Sequence, residues 1–252
     1  MEQIAVVTGG SSGIGAARAR ALAAREWRCV LVARREEPLR ALAAEIGGEY
    51  EVCDVGDREA VDSTALAVLD RHPQIKLLVN NAGIPGRTGF VGSDAERIEL
   101  VTRVNYLGGV WCLNAFLPGL VAAAPSDLVN VASVAGTVTA GTSGPYSASK
   151  HAQVSFSRAV TAELKPQGVR VHTILPGFVD TEGFPQRSVF PRLMHPLIAE
   201  PEDVAKAVLH ALDRDKREVY VPWYYRFATL AQALFPGPVA HTAASGRLRK
   251  PA

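Results

Sequence analysis

The chain has 252 residues, a formal net charge of +2, and hydrophobic side chains at 48% of its positions. This length suits one domain with a sizeable core, and the even charge balance argues against a nucleic-acid-binding surface. The three cysteines, Cys29, Cys53 and Cys112, lie far apart without CxxC spacing. We therefore expect reduced thiols, no disulfide framework and no metal site.

The apolar runs predict neither a secretion signal nor a membrane span. The first run, IAVV at residues 4–7, is too short for a signal segment and is soon followed by glycines. No uninterrupted apolar run approaches the roughly 20 residues that a membrane-spanning helix needs. The sequence therefore predicts a cytoplasmic protein.

Apolar runs and helical patterns alternate along the chain. Continuous Val, Ile and Leu is typical of strands buried on both faces, as in a parallel sheet. Seven runs predict strands, at residues 3–8, 28–34, 49–54, 75–80, 127–133, 169–175 and 218–222. Six segments predict helices, at residues 15–25, 38–47, 58–71, 96–116, 146–165 and 201–214. Asp57 and Pro201 suit helix starts, and Gly47 and Gly168 suit helix ends.

Strand–helix alternation of this kind predicts a single α/β domain. We expect a Rossmann-type doubly wound parallel sheet of about seven strands, with helices on both faces and right-handed crossovers. The domain would span residues 1–222, and residues 223–252 would form a C-terminal extension.

The first predicted strand ends in TGGSSGIG, residues 8–15, which runs directly into a helix. Gly9 permits a tight turn, Gly13 lets backbone approach a pyrophosphate, and Gly15 allows the helix to pack closely on the strand. The helix N-terminus adds free N–H groups and the positive end of its dipole. The loop therefore predicts nucleotide binding, although a plain strand-to-helix turn remains the alternative. Its candidate contacts are Gly9, Ser11, Ser12, Gly13, Ile14 and Gly15.

The second predicted strand ends where the adenosine ribose of a dinucleotide would lie. A site selective for NAD usually has Asp or Glu there, to bind the 2′-hydroxyl. Here the position is Ala33, followed by Arg34 and Arg35, and Arg suits a phosphate dianion. We predict NADP(H) over NAD(H). The alternative is a solvated basic helix start, partly neutralised by Glu36 and Glu37.

GPYSASK, residues 144–150, places Tyr146 and Lys150 four residues apart. On a helix they share one face, one turn apart. An ammonium stabilises a phenolate, so the pair predicts a tuned proton donor. The alternative is a helix start with a half-buried tyrosine and an exposed lysine.

Further motifs accompany these two. Asp54 follows the third strand, NNAG (residues 80–83) the fourth, and Pro176-Gly177 the sixth, with Thr181 just beyond. Asn105 lies in a long helix, and Ser133 closes the fifth strand, thirteen residues before Tyr146. With TGxxxGxG and YSASK, this set resembles the short-chain dehydrogenase/reductase family in its short single-domain form, from the first strand to about Pro222.

The resemblance implies a catalytic role for four residues. Tyr146 would be the general acid–base, with Lys150 and the positive nicotinamide of the oxidised cofactor lowering its pKa from roughly 10. Lys150 would also hold the nicotinamide ribose. Ser133 would hydrogen-bond the substrate oxygen, and Asn105 would hold a water that links Lys150 to solvent. Ser133 as a strand-end hydroxyl and Asn105 as a helix-kink residue remain the alternatives.

The resemblance also implies further cofactor contacts. Asp54 would accept from the adenine amino group, with Val55 beside it. The ribose and the pyrophosphate would be contacted by Asn80, Asn81, Ala82 and Gly83. The nicotinamide amide would be contacted by Pro176, Gly177, Val179 and Thr181. Ser11 and Ser12 would help bind the 2′-phosphate or only decorate the loop, and Asn80 would line the site or stabilise the sheet.

Two segments concern the substrate side. Residues 178–200 correspond to the family's substrate-closing lid. Their Phe184, Phe190, Leu193 and Met194 indicate either an apolar substrate or packing on the protein, and His195 is a lid residue rather than a catalyst. In the extension, Phe227, Leu230, Ala231 and Leu234 share a helical face, which Pro236-Gly237-Pro238 would end. Arg247, Arg249 and Lys250 form a basic tip.

We first interpret this extension as a cap on the substrate mouth or a subunit contact, and second as a peripheral membrane contact. The whole chain is predicted to be an NADP(H)-dependent alcohol dehydrogenase or carbonyl reductase, acting on an uncharged, moderately apolar ketone or secondary alcohol. The resemblance implies a homodimer or homotetramer built on the Asn105 and Tyr146 helices, with no nucleic acid as partner. The alternatives are a non-catalytic cofactor-binding regulator or scaffold, and an epimerase or dehydratase of the family's longer branch.

Overall fold

The computed structural model describes residues 2–86, 89–92, 94–139 and 144–238. Seven strands form one sheet in the order β3-β2-β1-β4-β5-β6-β7, and every neighbouring pair is parallel. The strands are β1 (Gln3–Thr8), β2 (Trp27–Ala33), β3 (Glu49–Val52), β4 (Leu77–Asn80), β5 (Ser126–Val131), β6 (Val169–Pro176) and β7 (Glu218–Val221). The predicted doubly wound parallel sheet is confirmed.

Helices cover both faces of this sheet. They are α1 (Gly13–Ala23), α2 (Glu36–Ile46), α3 (Arg58–Arg71), α4 (Ala95–Thr102), α5 (Gly108–Ala122), α6 (Gly144–Leu164), α7 (Gln186–Val189), α8 (Pro201–Arg214) and α9 (Tyr225–Leu234). One core packs α1, α2 and α8 on the sheet, and the other packs α3, α5 and α6. Ala5 and Val7 face the first core, whereas Ile4 and Val6 face the second. A strand buried on both faces needs apolar side chains at every position, which explains the uninterrupted apolar runs.

The predicted helix ends are confirmed. The Asp57 side chain accepts from the backbone N–H groups of Glu59 at 3.0 Å and Ala60 at 3.2 Å. Gly47 and Gly168 adopt left-handed conformations after α2 and after the 3-10 turn that follows α6. Pro201 is the first residue of α8.

The third strand is shorter than predicted. It ends at Val52 rather than at Asp54, because the Asp54 carboxylate accepts from the backbone N–H of Gly56 at 2.9 Å and turns the chain. Cys53 and the other two cysteines are free and buried.

The helix predicted at residues 96–116 has a π-helical segment, Arg103–Leu107, between α4 and α5. Asn105 lies in this segment, where its side chain bonds both the N–H and the C=O of Ile84. Such segments often mark functional positions. By length and composition alone, Ala95–Ala122 would suffice to cross a membrane, but α5 buries Phe116 and Leu120 in the second core.

The C-terminal extension contains α9, and the basic tip at residues 247–250 lies outside the described residues. The Tyr225 ring packs edge-on to Phe178, and the hydroxyl of Thr229 lies 2.7 Å from that of Thr137. The opposite face of α9 leaves Phe227, Leu230 and Leu234 more than half exposed. The helix thus adjoins the predicted lid on one side and presents an apolar surface on the other.

Candidate active site

The candidate site residues collect at the carboxyl ends of the central strands, where α/β sheets bind ligands. The loops after β1, β4, β5 and β6 carry the phosphate loop, NNAG, Ser133 and Pro176-Gly177 respectively. The sheet order places β1 beside β4 and β5 beside β6, so motifs far apart in sequence share one edge.

The phosphate loop is held by close backbone packing and by Thr8. Gly9 has φ +66°, and a Cβ on Gly15 would collide with the Gly9 carbonyl oxygen, so both positions require glycine. The Thr8 hydroxyl accepts from the backbone N–H groups of Asn81 at 3.0 Å and Ala82 at 3.1 Å. The Asn81 amide donates to the carbonyl oxygens of Thr8 and Gly9. Asn81 and Ala82 therefore brace the loop from β4.

Arg34 and Arg35 lie beside this loop. Arg35 donates to the Ser12 hydroxyl at 2.7 Å and reaches that of Ser11 at 3.5 Å. Arg34 pairs with the Asp54 carboxylate at 3.6 Å. Both cations are about half exposed. The two arginines thus flank the end of β2, where Ala33 offers no carboxylate.

Three further candidate cofactor contacts differ in how deeply their side chains are buried. The Asp54 side chain is 41% exposed at the site edge, whereas Val55 is buried in the second core. Asn80 is 2% exposed, and its amide donates to Asn130 Oδ1 and to the Gly109 carbonyl, both at 3.0 Å. Asn80 therefore lies behind the site, where it links β4 to β5 and α5 by hydrogen bonds. Of the two readings of Asn80 from the sequence, this geometry favours the one in which it stabilises the sheet.

Gly83 opens the site toward two predicted catalytic residues. A Cβ built on Gly83 would lie 3.4 Å from Asn105 Oδ1 and 3.7 Å from Lys150 Nζ. Asn105 Oδ1 accepts from the backbone N–H of Ile84 at 2.7 Å, and its amide donates to the Ser149 hydroxyl at 3.1 Å. Asn105 is therefore rigidly held with its oxygen toward Gly83.

Ser133 and Tyr146 form the reacting pair of the candidate site. Ser133 Oγ accepts from the backbone N–H of Ala135 at 3.1 Å and donates to the Pro176 carbonyl at 3.2 Å. Burial raises the pKa of Tyr146 above its ordinary value, and the neighbouring Ser133 side chain partly opposes this rise.

Lys150 is buried behind Tyr146, with its ammonium 5.9 Å from the centre of the tyrosine ring. It donates to the Val131 carbonyl at 2.9 Å and to Gln153 Oε1 at 2.8 Å. Burial lowers the pKa of Lys150 to about 7. Lowering of the Tyr146 pKa by Lys150 together with the positive nicotinamide of the oxidised cofactor stays a prediction.

The segment after β6 closes over this pair. Thr181 Oγ1 accepts from the backbone N–H of Phe184 at 3.1 Å, and the Phe184 ring centre lies 5.9 Å from that of Tyr146. Val179 is buried and bridges to Ala199. Phe190 is buried against Phe178, with ring centres 4.5 Å apart.

The lid residues thus divide between the two predicted roles. Phe184 borders Tyr146, Phe190 packs on the protein, and Leu193 is 90% exposed. His195 hydrogen-bonds the Phe190 carbonyl within the lid. Gly177 contacts Tyr225 of α9 so closely that a Cβ there would overlap the tyrosine ring. The C-terminal helix therefore covers the carboxyl end of β6.

Sequence reasoning assigned no role to four residues at this site. The loop after β4 is held to β1 by Thr8, and Asn105 is contacted by Ser149. Lys150 is contacted by Gln153, and Gly177 by Tyr225. Thr8 and Gln153 carried a usable signal, because each is a polar residue in an otherwise buried pattern. Tyr225 carried none, since its partner lies 48 positions away.

A family model described as short chain dehydrogenase matches residues 3–189. The chain belongs to the short-chain dehydrogenase/reductase family. Its members include a 3-oxoacyl-[acyl-carrier-protein] reductase of Bos taurus, 35% identical over 184 residues, which cover 72% of this chain and 78% of that protein. The family assignment makes the chain an oxidoreductase and confirms the resemblance drawn from its motifs.

Two solved structures of family members have the same fold. An alcohol dehydrogenase of the archaeon Thermococcus sibiricus, complexed with 5-hydroxy-NADP, aligns with a TM-score of 0.79 at 29% identity, over 87% of this chain and 96% of its own. A variant of the actinorhodin polyketide ketoreductase with NADPH aligns with a TM-score of 0.76 at 30% identity, over 83% of this chain and 89% of its own.

Proposed function

We propose that this family member is an NADP(H)-dependent alcohol dehydrogenase or carbonyl reductase. One observation carries the proposal: the phenol of Tyr146 neighbours Ser133, and the buried ammonium of Lys150 lies 5.9 Å from the centre of the Tyr146 ring. A phenol, a hydroxyl and an ammonium arranged in this way suit proton transfer to a carbonyl oxygen. The non-catalytic regulator or scaffold is disfavoured, because it would need none of these three groups.

The chain's own cradle fits a nicotinamide dinucleotide. The glycine-lined loop at the N-terminus of α1 suits a pyrophosphate, and the opening at Gly83 leads to Asn105 and Lys150. Gly13 and Thr181 approach each other across the loop, so both would border a bound dinucleotide. When bound, the nicotinamide supplies or accepts the hydride.

The protein's side chains then handle the proton and the oxygen. Ser133 holds the substrate oxygen by a hydrogen bond, and Tyr146 donates its proton to that oxygen in reduction or takes it back in oxidation. Lys150, when charged, stabilises the phenolate that reduction leaves behind. Phe184 and the lid exclude water from this step.

A preference for NADP(H) rests on the end of β2. Arg35 offers a guanidinium group beside Ser11 and Ser12, Arg34 offers a second one that pairs with Asp54, and Ala33 supplies no carboxylate for a ribose 2′-hydroxyl. The two solved relatives are complexes with an NADP derivative and with NADPH.

Replacing Arg34 and Arg35 together by alanine should weaken NADPH binding by about 10–100-fold, the value of one or two charge-assisted hydrogen bonds. NADH binding should change little, because NADH has no 2′-phosphate. Fluorescence titration of the purified protein with both cofactors measures this ratio. Arg25→Ala, which removes an exposed cation paired with Asp213, is the matched control. Equal affinity of the unmodified protein for NADH and NADPH would contradict the proposed preference.

The proposed substrate is an uncharged, moderately apolar ketone or secondary alcohol. An apolar aromatic side chain borders the reacting pair, because the Phe184 ring lies against that of Tyr146. The relatives named reductase and ketoreductase favour the reductive direction. NADPH consumption with a panel of ketones of increasing hydrophobicity tests this class.

We also propose a cytoplasmic homodimer or homotetramer that uses the groove between α5 and α6. Its lining combines apolar side chains, among them Tyr106, Val110, Leu117, Ala152 and Phe156, with the polar side chains of Asn114, Ser155, Glu163 and Gln167. Apolar surface of this kind often marks a protein contact.

Phe156→Glu should convert the proposed oligomer into monomers, because it places a charge in an apolar contact. Light scattering after gel filtration measures the mass. Leu66→Ser, on the 72% exposed side chain of α3, should leave the oligomer intact. A monomeric unmodified protein would contradict the proposed oligomer, and an oligomer that survives Phe156→Glu would place the contact elsewhere.

A further inference from the structure

Gln153 is a polar side chain in the buried face of α6. It is 2% exposed and lies three residues after Lys150, so the two share a helical face. Its side-chain oxygen accepts a hydrogen bond from Lys150 Nζ at 2.8 Å. A buried amide of this kind needs a partner, and here the partner is the lysine of the reacting group.

Among the residues that the structure describes, the groups around Lys150 are otherwise neutral. From its own helix Tyr146 faces it at 5.9 Å and is the titratable neighbour. β5 contributes the Val131 carbonyl, the π-helical segment contributes the Asn105 amide, and the 3-10 turn Val134–Gly136 contributes backbone. Burial alone accounts for the lowered pKa of Lys150. The ammonium is thus supported by dipoles rather than by a carboxylate.

An ammonium has three hydrogen-bond donors, and within the described part of the chain Val131 and Gln153 engage two of them. The Lys150 nitrogen lies 3.7 Å from the Cβ position of Gly83, beside Asn105. With two acceptors fixed by β5 and α6, a third donor remains for the opening at Gly83. A carbonyl oxygen accepting from the ammonium also favours the charged over the neutral amine.

We propose that Gln153 is a positioning residue, whose side-chain carbonyl holds the Lys150 ammonium against β5, keeps it charged, and leaves one donor directed at the Gly83 opening. That this donor meets the cofactor rests on the proposed function, whereas the hold on Lys150 does not.

The hold can be measured without cofactor or substrate. The chain has six lysines, so ¹³Cε-labelled lysine gives few NMR signals. The signal that disappears in the Lys150→Arg variant is the signal of Lys150. The Lys150 signal should titrate well below the ordinary lysine value of roughly 10.4. Gln153→Met keeps the length of the side chain but removes the acceptor, and should lower the Lys150 pKa by about one unit. Gln153→Glu supplies a negative charge and should raise it.

Shifts of opposite sign in these two variants support the proposal, since a merely space-filling residue would not produce them. An unchanged Lys150 titration in Gln153→Met, or shifts of the same sign in both variants, would overturn it. Thermal unfolding checks that each variant is folded. If Gln153→Glu fails to fold, the conservative Gln153→Met decides alone.

NADPH titration of the same proteins separates this inference from the proposed function. The Gln153→Met variant should bind NADPH more weakly than the unmodified protein at pH 8, by about tenfold if its Lys150 pKa falls by one unit, and the difference should shrink at pH 6. If the unmodified protein binds no NADPH, but the two Gln153 variants shift the Lys150 pKa in opposite directions, the proposed function is refuted and the role of Gln153 is retained. Equal weakening at both pH values would refute the charge-dependent role.

Discussion

Tyr146→Phe should reduce carbonyl turnover by about 10²–10⁴-fold, the usual contribution of a positioned general acid. The substitution removes only the hydroxyl, so Phe184 keeps its ring neighbour and Lys150 keeps the Val131 and Gln153 acceptors. NADPH affinity should therefore remain largely intact. Steady-state kinetics with a reactive ketone, together with NADPH titration, measures both quantities.

Tyr50→Phe is the matched control, because it removes a tyrosine hydroxyl that makes only a long contact with Glu36, at 3.4 Å on the surface. It should leave turnover unchanged. Retained turnover in Tyr146→Phe would show that another group transfers the proton. Loss of NADPH affinity together with turnover would instead indicate that the hydroxyl holds the pocket together.

Arg18→Met should stabilise the protein against unfolding by about 1–4 kcal/mol. Arg18 lies on α1 with 0% exposure, and its three guanidinium nitrogens find no hydrogen-bond partner among the described residues. Burial lowers the pKa of Arg18 to about 9. A buried cation without a partner loses hydration and gains no compensating attraction, whereas methionine fills a similar volume without charge.

Arg20→Met, two residues along the same helix, is the control for helix propensity and surface charge. Arg20 is half exposed and pairs with Glu45 at 2.6 Å, and such surface pairs contribute about 0–1 kcal/mol. Its loss should change stability little. Denaturant unfolding of both variants gives the two free energies. Destabilisation of Arg18→Met by several kcal/mol would show that the guanidinium has a partner whose loss is costly.

The motif residues of the site were predictable because their signals are local. The glycine spacing of TGGSSGIG indicates a loop at the start of a helix. The four-residue spacing in YSASK indicates that Tyr146 and Lys150 share one helical face. The structure brings Ser133, Tyr146, Lys150 and Asn105 to one edge of the sheet as the resemblance implied.

The supporting contacts were not predictable in the same way. Thr8 bonds Asn81 and Ala82 across 73 and 74 positions, and Asn105 bonds Ser149 across 44. Such pairs become visible only when β1 lies beside β4 and the π-helical segment lies against α6. The effect of burial on the pKa of Tyr146 was also not predictable, because desolvation depends on everything packed around the phenol.

The sequence by itself determined the α/β class, the seven strands, several helix ends and the family, since apolar continuity, glycine position and motif order are properties of neighbouring residues. Only the tertiary structure decided the acceptors of Lys150, the depth of Asn80, the unpartnered burial of Arg18 and the contact of Tyr225 with Gly177. Each of these four features depends on atoms that come from elements distant in the chain. Those atoms determine which hydrogen bonds a side chain can make and whether it can remain charged.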